Sequence, residues 1–470
     1  MSIKRISFIE VGAPGSHIFS KFPVARVGTV LLSTILKEKG HEVKAFIEDI
    51  SIPDWEFIES SDLVCISTLT STAISAYMIG QRLKAKGIAV IMGGAHPTFM
   101  PDEALQYSDF VVRGEGDFTL PELISYFDSG APAIETIQGL SYRNKSGKSF
   151  HNPDRRLLKE EELDSLPVPD FSLVHNWKPS YIYSVSTSRG CPYACKFCSV
   201  IHIFGRQYRF KSTGAVLKEL EHIRAVSTGT RFFVDDNFTA NRKRTKELLR
   251  VMIAEKLTSK WTAQVRTDAA ADPELLRLMA DAGCHTVYIG FESINPTTLE
   301  QYNKKQTLED IVGSIRSFRD HGIRIHGMFV IGADTDDIDV IKKTVDFTIH
   351  SGIDTIQLMV LTPLPGTPLF KEMKESGRLL HTDWSKYDAH HAVFSPSLMG
   401  AQTLQTETMK GMGRFYSWKY IMKHLAKFDL YYAGIGVYGK TTVNEMLGNF
   451  TINRDNVLSR NPDNAEISAE

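Results

Sequence analysis

Two spacings of apolar residues alternate along most of this chain. Over residues 1–145, runs rich in Val, Ile and Phe predict strands at 6–11, 41–47, 62–67, 88–92 and 110–112. Between them, apolar positions recur three and four apart over 27–39, closed by Gly40, over 74–86, closed by Gly87, and near 120–127. This alternation predicts an α/β unit, a doubly wound parallel sheet with helices on both faces. Ligands of such sheets bind beyond the carboxyl ends of the strands. Three of these ends carry small residues that let a large ligand approach the backbone: Ser67-Thr68-Leu69, Gly93-Gly94-Ala95 and Arg113-Gly114-Glu115-Gly116.

The rhythm breaks over 146–180. There Lys159-Glu160-Glu161-Glu162 is followed by Pro167 and Pro169, a composition that predicts an extended strap. It resumes over 181–375, with strands predicted at 181–187, 231–234, 261–266, 286–290, 323–331 and 355–361. Helices are predicted between them at 213–225, 242–254, 273–282, 308–321 and 338–350. Uninterrupted strand–helix units predict a barrel-like or open parallel sheet with its chemistry at the carboxyl ends. Residues 376–470 read as a mainly helical, aromatic-rich segment, with Trp384 and Tyr387 among the rings expected to cover the open side of the barrel. A helix over 404–428 intersperses Lys410, Arg414, Lys419, Lys423 and Lys427. Such a helix is either a solvated face or a surface element that approaches a membrane. Residues 454–470 are polar, without periodicity, and expected to fray.

Composition narrows the class. At 470 residues, 42% hydrophobic and 23% charged, the chain is globular and long enough for two or three domains. A net charge of −1 argues against nonspecific nucleic-acid binding. No apolar run approaches the ~20 residues of a membrane-spanning helix, and Glu10 interrupts the first apolar run, which reads as a strand and not a leader. Five cysteines, three of them clustered, make no disulfide framework and imply the cytoplasm.

The clustered three are spaced Cys191-x₃-Cys195-x₂-Cys198, on the loop that leaves the strand over 181–187. A loop can curl and aim three thiolates at one centre. Cys65 and Cys284 lie far away beside apolar residues. His202 would complete a Cys₃His zinc site. The other reading is a [4Fe–4S] cluster with three irons on cysteine and the fourth open to a small molecule.

The spacing, with Phe197 before the last cysteine, resembles the motif of the radical SAM superfamily. The resemblance implies a partial (β/α)₆ barrel in which Cys191, Cys195 and Cys198 ligate the cluster. The open iron then holds S-adenosylmethionine, and reductive cleavage gives a 5′-deoxyadenosyl radical that takes hydrogen from the substrate. An electron donor such as a flavodoxin or ferredoxin is also implied. By family position, Asp235 and Asp236 match the segment that faces the methionine amino group, although a helix cap before Asn241 would use such a residue too. Gln264, Arg266 and Asp268 share one strand face at period two, and Arg266 is expected at the S-adenosylmethionine site. Glu292 suits the ribose hydroxyls, and Gly332 closes the segment implied to lie against adenine.

The N-terminal sheet is similar to the cobalamin-binding domain of one radical SAM class. Ser67 and Leu69 match its Ser-x-Leu element and Gly93 and Gly94 its Gly-Gly element, with Gly114 and Glu115 at the next strand end. The Asp-x-His-x-x-Gly element is missing, because Glu48-Asp49-Ile50-Ser51 stands there. His96 is expected to serve a backbone turn, and His390 with His391 could reach the active site. The resemblance implies cobalamin-dependent methylation of an unactivated carbon in an apolar small molecule, lipid or tetrapyrrole-like. Alternatives are a cobalamin-independent cyclisation, oxidation or C–C coupling, as in anaerobic magnesium-protoporphyrin cyclases, and a zinc or iron–sulfur protein without catalysis. Peripheral contact with a membrane is the remaining partner expected.

Overall fold

The computed structural model describes residues 3–13, 24–144 and 146–459, with side chains through residue 450. Five parallel strands form the heart of the first sheet: β1 (Arg5–Glu10), β2 (Glu42–Ile47), β3 (Leu63–Ser67), β4 (Ala89–Gly93) and β5 (Phe110–Val112). They lie in the order β2-β1-β3-β4-β5, so the strand order reverses between β1 and β3, where a crevice opens at the carboxyl ends. Each strand is buried on both faces, as a parallel sheet sandwiched by helices requires.

Two short antiparallel strands, β6 (Leu140–Arg143) and β7 (Ser149–His151), extend this sheet beyond β5. Neither is expected from periodicity, because each is too short to show one. Cross-strand pairing carries them instead: Tyr142 sits opposite Phe150, with ring centroids 5.5 Å apart. The sheet therefore reaches into the stretch expected to be a strap. The acidic run in that strap is a short helix, Glu160–Asp164, whose Glu162 carboxylate accepts from the Lys159 amide at 2.8 Å.

The second sheet begins with β8 (Tyr183–Val185), followed by a small antiparallel pair, β9 (Ser188–Arg189) and β10 (Arg209–Phe210). It continues with β11 (Arg231–Phe233), β12 (Trp261–Val265), β13 (Cys284–Glu292), β14 (Arg324–Ile331) and β15 (Thr355–Val360). The six long-range partners run parallel in the order β15-β14-β13-β12-β11-β8, the open barrel expected from the sequence. In β12 the alternation is plain: Trp261, Ala263 and Val265 are buried against the helices, and Thr262 and Gln264 face the lumen. Trp261 donates its indole N–H to the Ala282 carbonyl at 2.9 Å. Neighbouring lumen residues touch one another, Phe232 on Tyr288 at 5.4 Å and Tyr288 on His326 at 4.7 Å.

The C-terminal segment differs from expectation in three places. The helix expected over 404–428 is two helices, Ala401–Phe415 and Trp418–Leu425, parted where Tyr416 turns inward and exchanges hydrogen bonds with the Ile356 backbone at 2.8 and 3.0 Å. A third helix, Leu430–Ser459, runs through part of the stretch expected to fray, and residues 460–470 lie outside those described. Trp384 and Tyr387 pack into the core of the N-terminal sheet, not onto the barrel. Trp384 donates to Glu103 at 2.7 Å and lies edge-on to the fully buried His96 ring at 5.1 Å. His96 is thus part of a seam between the first and last segments of the chain.

Candidate active site

The cysteine loop leaves the first barrel strand through Gly190. Its φ of 93° is open to glycine, and a Cβ there would stand 2.4 Å from the Gln207 carbonyl. No other residue permits β9 to turn into the loop so sharply. The loop is then pinned from four sides. The Cys191 amide donates to the Gly205 carbonyl at 3.2 Å, and the Asn303 amide group donates to the Ala194 carbonyl at 3.2 Å. Phe197 meets the Tyr302 ring edge-on at 5.3 Å, and the Arg266 guanidinium covers the Tyr193 ring at 3.8 Å. All three cysteines are half-buried thiols. Burial pushes the Cys198 thiol up to about 12 and Cys191 upward, with the Asp236 charge adding to each. A metal must therefore displace protons as it binds.

Among the described residues, no three Cys, His, Asp or Glu side chains close around a point that would hold one metal ion, and His202 is exposed. Three soft thiolates on one loop, with no fourth ligand gathered beside them among the described residues, are the donor set of a cluster that leaves one iron open.

Asp235 and Asp236, adjacent in sequence, do different work. Asp235 is fully buried and accepts hydrogen bonds from the Thr187 amide and hydroxyl, each at 3.1 Å, and from the Ser188 hydroxyl. Burial raises its carboxyl against the pull of these donors and of Arg244. It braces the turn that leads into the cysteine loop. Asp236 points the other way and lines a cavity of about 540 Å³. Burial, and then the charge of Asp235, push it up to about 7.

That cavity lies between the two sheets. Ser67, Leu69, Gly93, Gly94, Gly114 and Glu115 line one side, at the carboxyl ends of β3, β4 and β5. Ser199 and Val200, directly after Cys198, line the other together with Asp236. Gly94 has φ 100°, and a Cβ would meet the Thr68 carbonyl at 2.5 Å. Gly114 has φ 68° and nothing within 4 Å of where its Cβ would be, so it opens directly onto the empty space. No histidine is among the lining residues described, in keeping with the missing Asp-x-His-x-x-Gly element. A flat, large ligand resting on backbone fits this wall.

The remaining expected residues stand outside the cavity. Glu292, at φ 63° beside an irregularity in β13, is buried and accepts from the Lys304 ammonium at 2.7 Å. A Cβ on Gly290 would strike both partners, at 2.4 and 3.0 Å, so that glycine makes room for the pair. Gly332, at φ 117°, turns its backbone to the Asp336 carboxylate at 2.9 Å and packs on Phe394 and Leu404 of the C-terminal segment. Asp268 leaves the period-two face, because β12 ends at Val265 and a short 3₁₀ turn follows. His391 bonds Asp388 at 2.8 Å, and burial of that carboxyl is outweighed by the two histidines, which hold it at about 2.

Sequence reasoning missed the charge network that joins the walls. Glu115 accepts from both terminal nitrogens of Arg209 at 2.9 Å, from Arg189 at 3.1 Å and from the Leu158 amide at 2.8 Å. Asp117 accepts a two-pronged bond from Arg189 at 2.7 and 2.9 Å. Glu115, Asp117 and Arg209 are buried. Arg189 precedes Gly190, so the network ties the first domain to the root of the cysteine loop. The only local signal was a carboxylate pair, Glu115 and Asp117, at the start of a helix, which reads equally well as ordinary first-turn charge.

Comparison with known proteins decides the family. The radical SAM superfamily matches residues 185–379, and the B12 binding domain matches residues 20–124. A bacteriochlorophyllide d C-12(1)-methyltransferase of Chlorobaculum tepidum is 34% identical over 77% of this chain and 76% of its own. The chain belongs to the radical SAM superfamily. An uncharacterised methyltransferase of Pyrococcus horikoshii is 32% identical over 83% of this chain and 87% of its own. The solved structure of the radical S-adenosylmethionine methyltransferase TsrM from Kitasatospora setae, with cobalamin and a [4Fe–4S] cluster bound, shares the fold. Its TM-score is 0.67, at 20% identity over 80% of this chain and 75% of that one. This radical SAM chain is thus an enzyme of the cobalamin-dependent methyltransferase class, whose cofactors are a [4Fe–4S] cluster, S-adenosylmethionine and cobalamin.

Proposed function

We propose that this enzyme methylates an unactivated carbon of an apolar small molecule, of lipid or tetrapyrrole type. One observation carries the reading: the glycine-lined strand ends of the first domain and the residues that follow Cys198 open into the same cavity. Cys191, Cys195 and Cys198 would hold the cluster, and Ser67, Leu69, Gly93, Gly94 and Gly114 would seat cobalamin. When bound, the cluster supplies the electron that opens the carbon–sulfur bond of S-adenosylmethionine, and cobalamin carries the methyl group to be transferred.

The chain's own residues do the rest. Arg266 holds the cysteine loop through Tyr193, and Asp235 braces the strand behind it. Asp236 presents a carboxyl to the cavity, where it can accept from the methionine ammonium. Glu292 and Lys304 form a buried pair whose carboxylate could exchange the ammonium for ribose hydroxyls. Leu69, Ile203, Phe204 and Val234 give the cavity an apolar lining that excludes water and suits an apolar substrate. A flavodoxin- or ferredoxin-type donor supplies the electron, which places the enzyme in the reducing cytoplasm.

The test is anaerobic purification with iron, sulfide, zinc and corrinoid measured in one sample, followed by reaction with S-adenosylmethionine labelled in its methyl group. Iron and sulfide near four per chain, stoichiometric corrinoid, and label passing from S-adenosylmethionine into organic-extractable product are expected. Zinc in place of iron would overturn the chemistry. Iron with 5′-deoxyadenosine but no corrinoid and no label transfer would overturn methylation alone.

A further inference from the structure

The helix Trp418–Leu425 is amphipathic in the wrong sense for a lone globular protein. Its buried side carries Ile421 and His424, and its outward side carries Trp418, Met422 and Leu425, spaced as one apolar stripe. The stripe continues past the helix end. Phe428 is 91% exposed, Leu430 70% and Tyr431 62%, with Val437 exposed on the next helix. Phe428 also has φ 55°, a left-handed conformation that bulky residues avoid. An aromatic ring held in an unfavourable turn, with nearly all its surface exposed, gains nothing from the described residues of this chain.

The charges around the stripe say what would cover it. Residues 416–440 hold Lys419, Lys423, Lys427 and Lys440 against one carboxylate, Asp429, and that carboxylate is engaged by Arg324 at 2.7 Å. The whole chain is nearly neutral, so this is a local concentration of positive charge on an apolar face. Tryptophan and tyrosine rings flanked by lysines are the composition that settles into the headgroup layer, rings at the acyl boundary and ammoniums on phosphates. A protein-binding face would instead deplete lysine at its centre. No helix among the described residues is long and apolar enough to cross a membrane, so the contact is peripheral.

We propose that residues 418–437 form a docking surface for an anionic lipid bilayer. The surface lies at the amino ends of the barrel strands, where Tyr432 packs under Arg324 at 4.1 Å and reaches Thr286 at 3.3 Å. The cysteine loop is at the opposite, carboxyl ends, so a docked molecule keeps its cofactor end off the bilayer. The surface goes beyond the methylation chemistry and does not depend on it, because binding to vesicles involves no turnover.

The cluster-loaded protein is floated with phosphatidylcholine vesicles, with or without ~30% phosphatidylglycerol, and its oligomeric state without lipid is measured by light scattering. A bound fraction several-fold higher on anionic vesicles, reduced by added salt, is expected. Phe428→Ser with Leu430→Ser, and separately Lys419→Glu with Lys423→Glu and Lys427→Glu, should each lower partitioning about tenfold with the cluster absorbance and helical content unchanged. Absence of vesicle binding by the parent protein, or binding that neither variant lowers, overturns the proposal. So does a lipid-free dimer that the Phe428/Leu430 variant dissociates, since a second copy would then be what covers the face.

Discussion

The two walls of the central cavity are built on opposite plans. The wall of the first domain presents backbone: Gly93, Gly94 and Gly114 remove side chains so that a ligand can rest against the strand ends. The barrel wall presents side chains, and its polar ones are held by others, Arg189 by Glu115 and Asp117 and Ser188 by Asp235; outside the cavity, Arg266 and Glu292 are held in the same way by Tyr193 and Lys304. A wall made by omission tolerates little addition. A wall made of mutually held charges tolerates little removal, because each lost partner leaves the other buried and unpaired.

The comparison breaks most completely at the cysteines. Cys198→Ala should bring iron and sulfide content and 5′-deoxyadenosine formation to background while the secondary structure by circular dichroism is kept, because the loop is pinned by Gly190, Phe197 and Asn303 as well. Glu115→Gln is the next largest effect. It strips the charge that faces Arg209 and Arg189, and should lower the unfolding free energy of the cofactor-free chain by about 3–5 kcal/mol in denaturant titration. A carboxylate that served cobalamin alone would leave the cofactor-free chain unaffected.

Two glycine substitutions sharpen the contrast within one wall. Gly94→Ala drives a methyl group to 2.5 Å from the Thr68 carbonyl at a positive φ, so both stability, by roughly 1–3 kcal/mol, and corrinoid binding should fall. Gly114→Ala meets no protein atom. It should cost only about 1–2 kcal/mol of backbone strain and act chiefly on corrinoid affinity, read by equilibrium dialysis.

The smallest expected effect is a pH dependence in the barrel lumen. Burial holds the His326 imidazole neutral, down to about 4, against the hydrogen bond to Gln357 that favours the charged form. Between the ordinary histidine value of 6.5 and about 4, the unfolded chain takes up a proton that the folded chain refuses. The stability is therefore complete above that window and falls as pH drops through it, by about 1–2 kcal/mol at pH 5. His326→Gln should flatten this part of the stability curve, measured by thermal unfolding between pH 5 and pH 7.5.

How much could be read from the chain alone follows from the range of each interaction. Strand and helix periods and the Cys191, Cys195, Cys198 spacing are local, and both parallel sheets and the loop of clustered cysteines were legible from them. Gly94 and Gly114 were legible too, since a conformation that favours glycine is written at a single position. What β6 and β7 pair with, and that Trp384 docks on the first domain, was not, because three- and four-residue strands and a lone ring carry no period. Asp235 and Asp236 could not be told apart either: alternation sends neighbours to opposite faces, but only the packed sheets decide which face is the cavity.

The sequence by itself determined the two α/β units, the loop that gathers Cys191, Cys195 and Cys198, and the bare backbone at Gly93, Gly94 and Gly114, because each depends on residues within a few positions of one another. The tertiary structure alone decided that Glu115 belongs to Arg189 and Arg209, 74 and 94 residues away, and that both units open into one cavity. A buried charge takes whatever opposite charge the packing of strands brings within reach, and no local spacing specifies that choice.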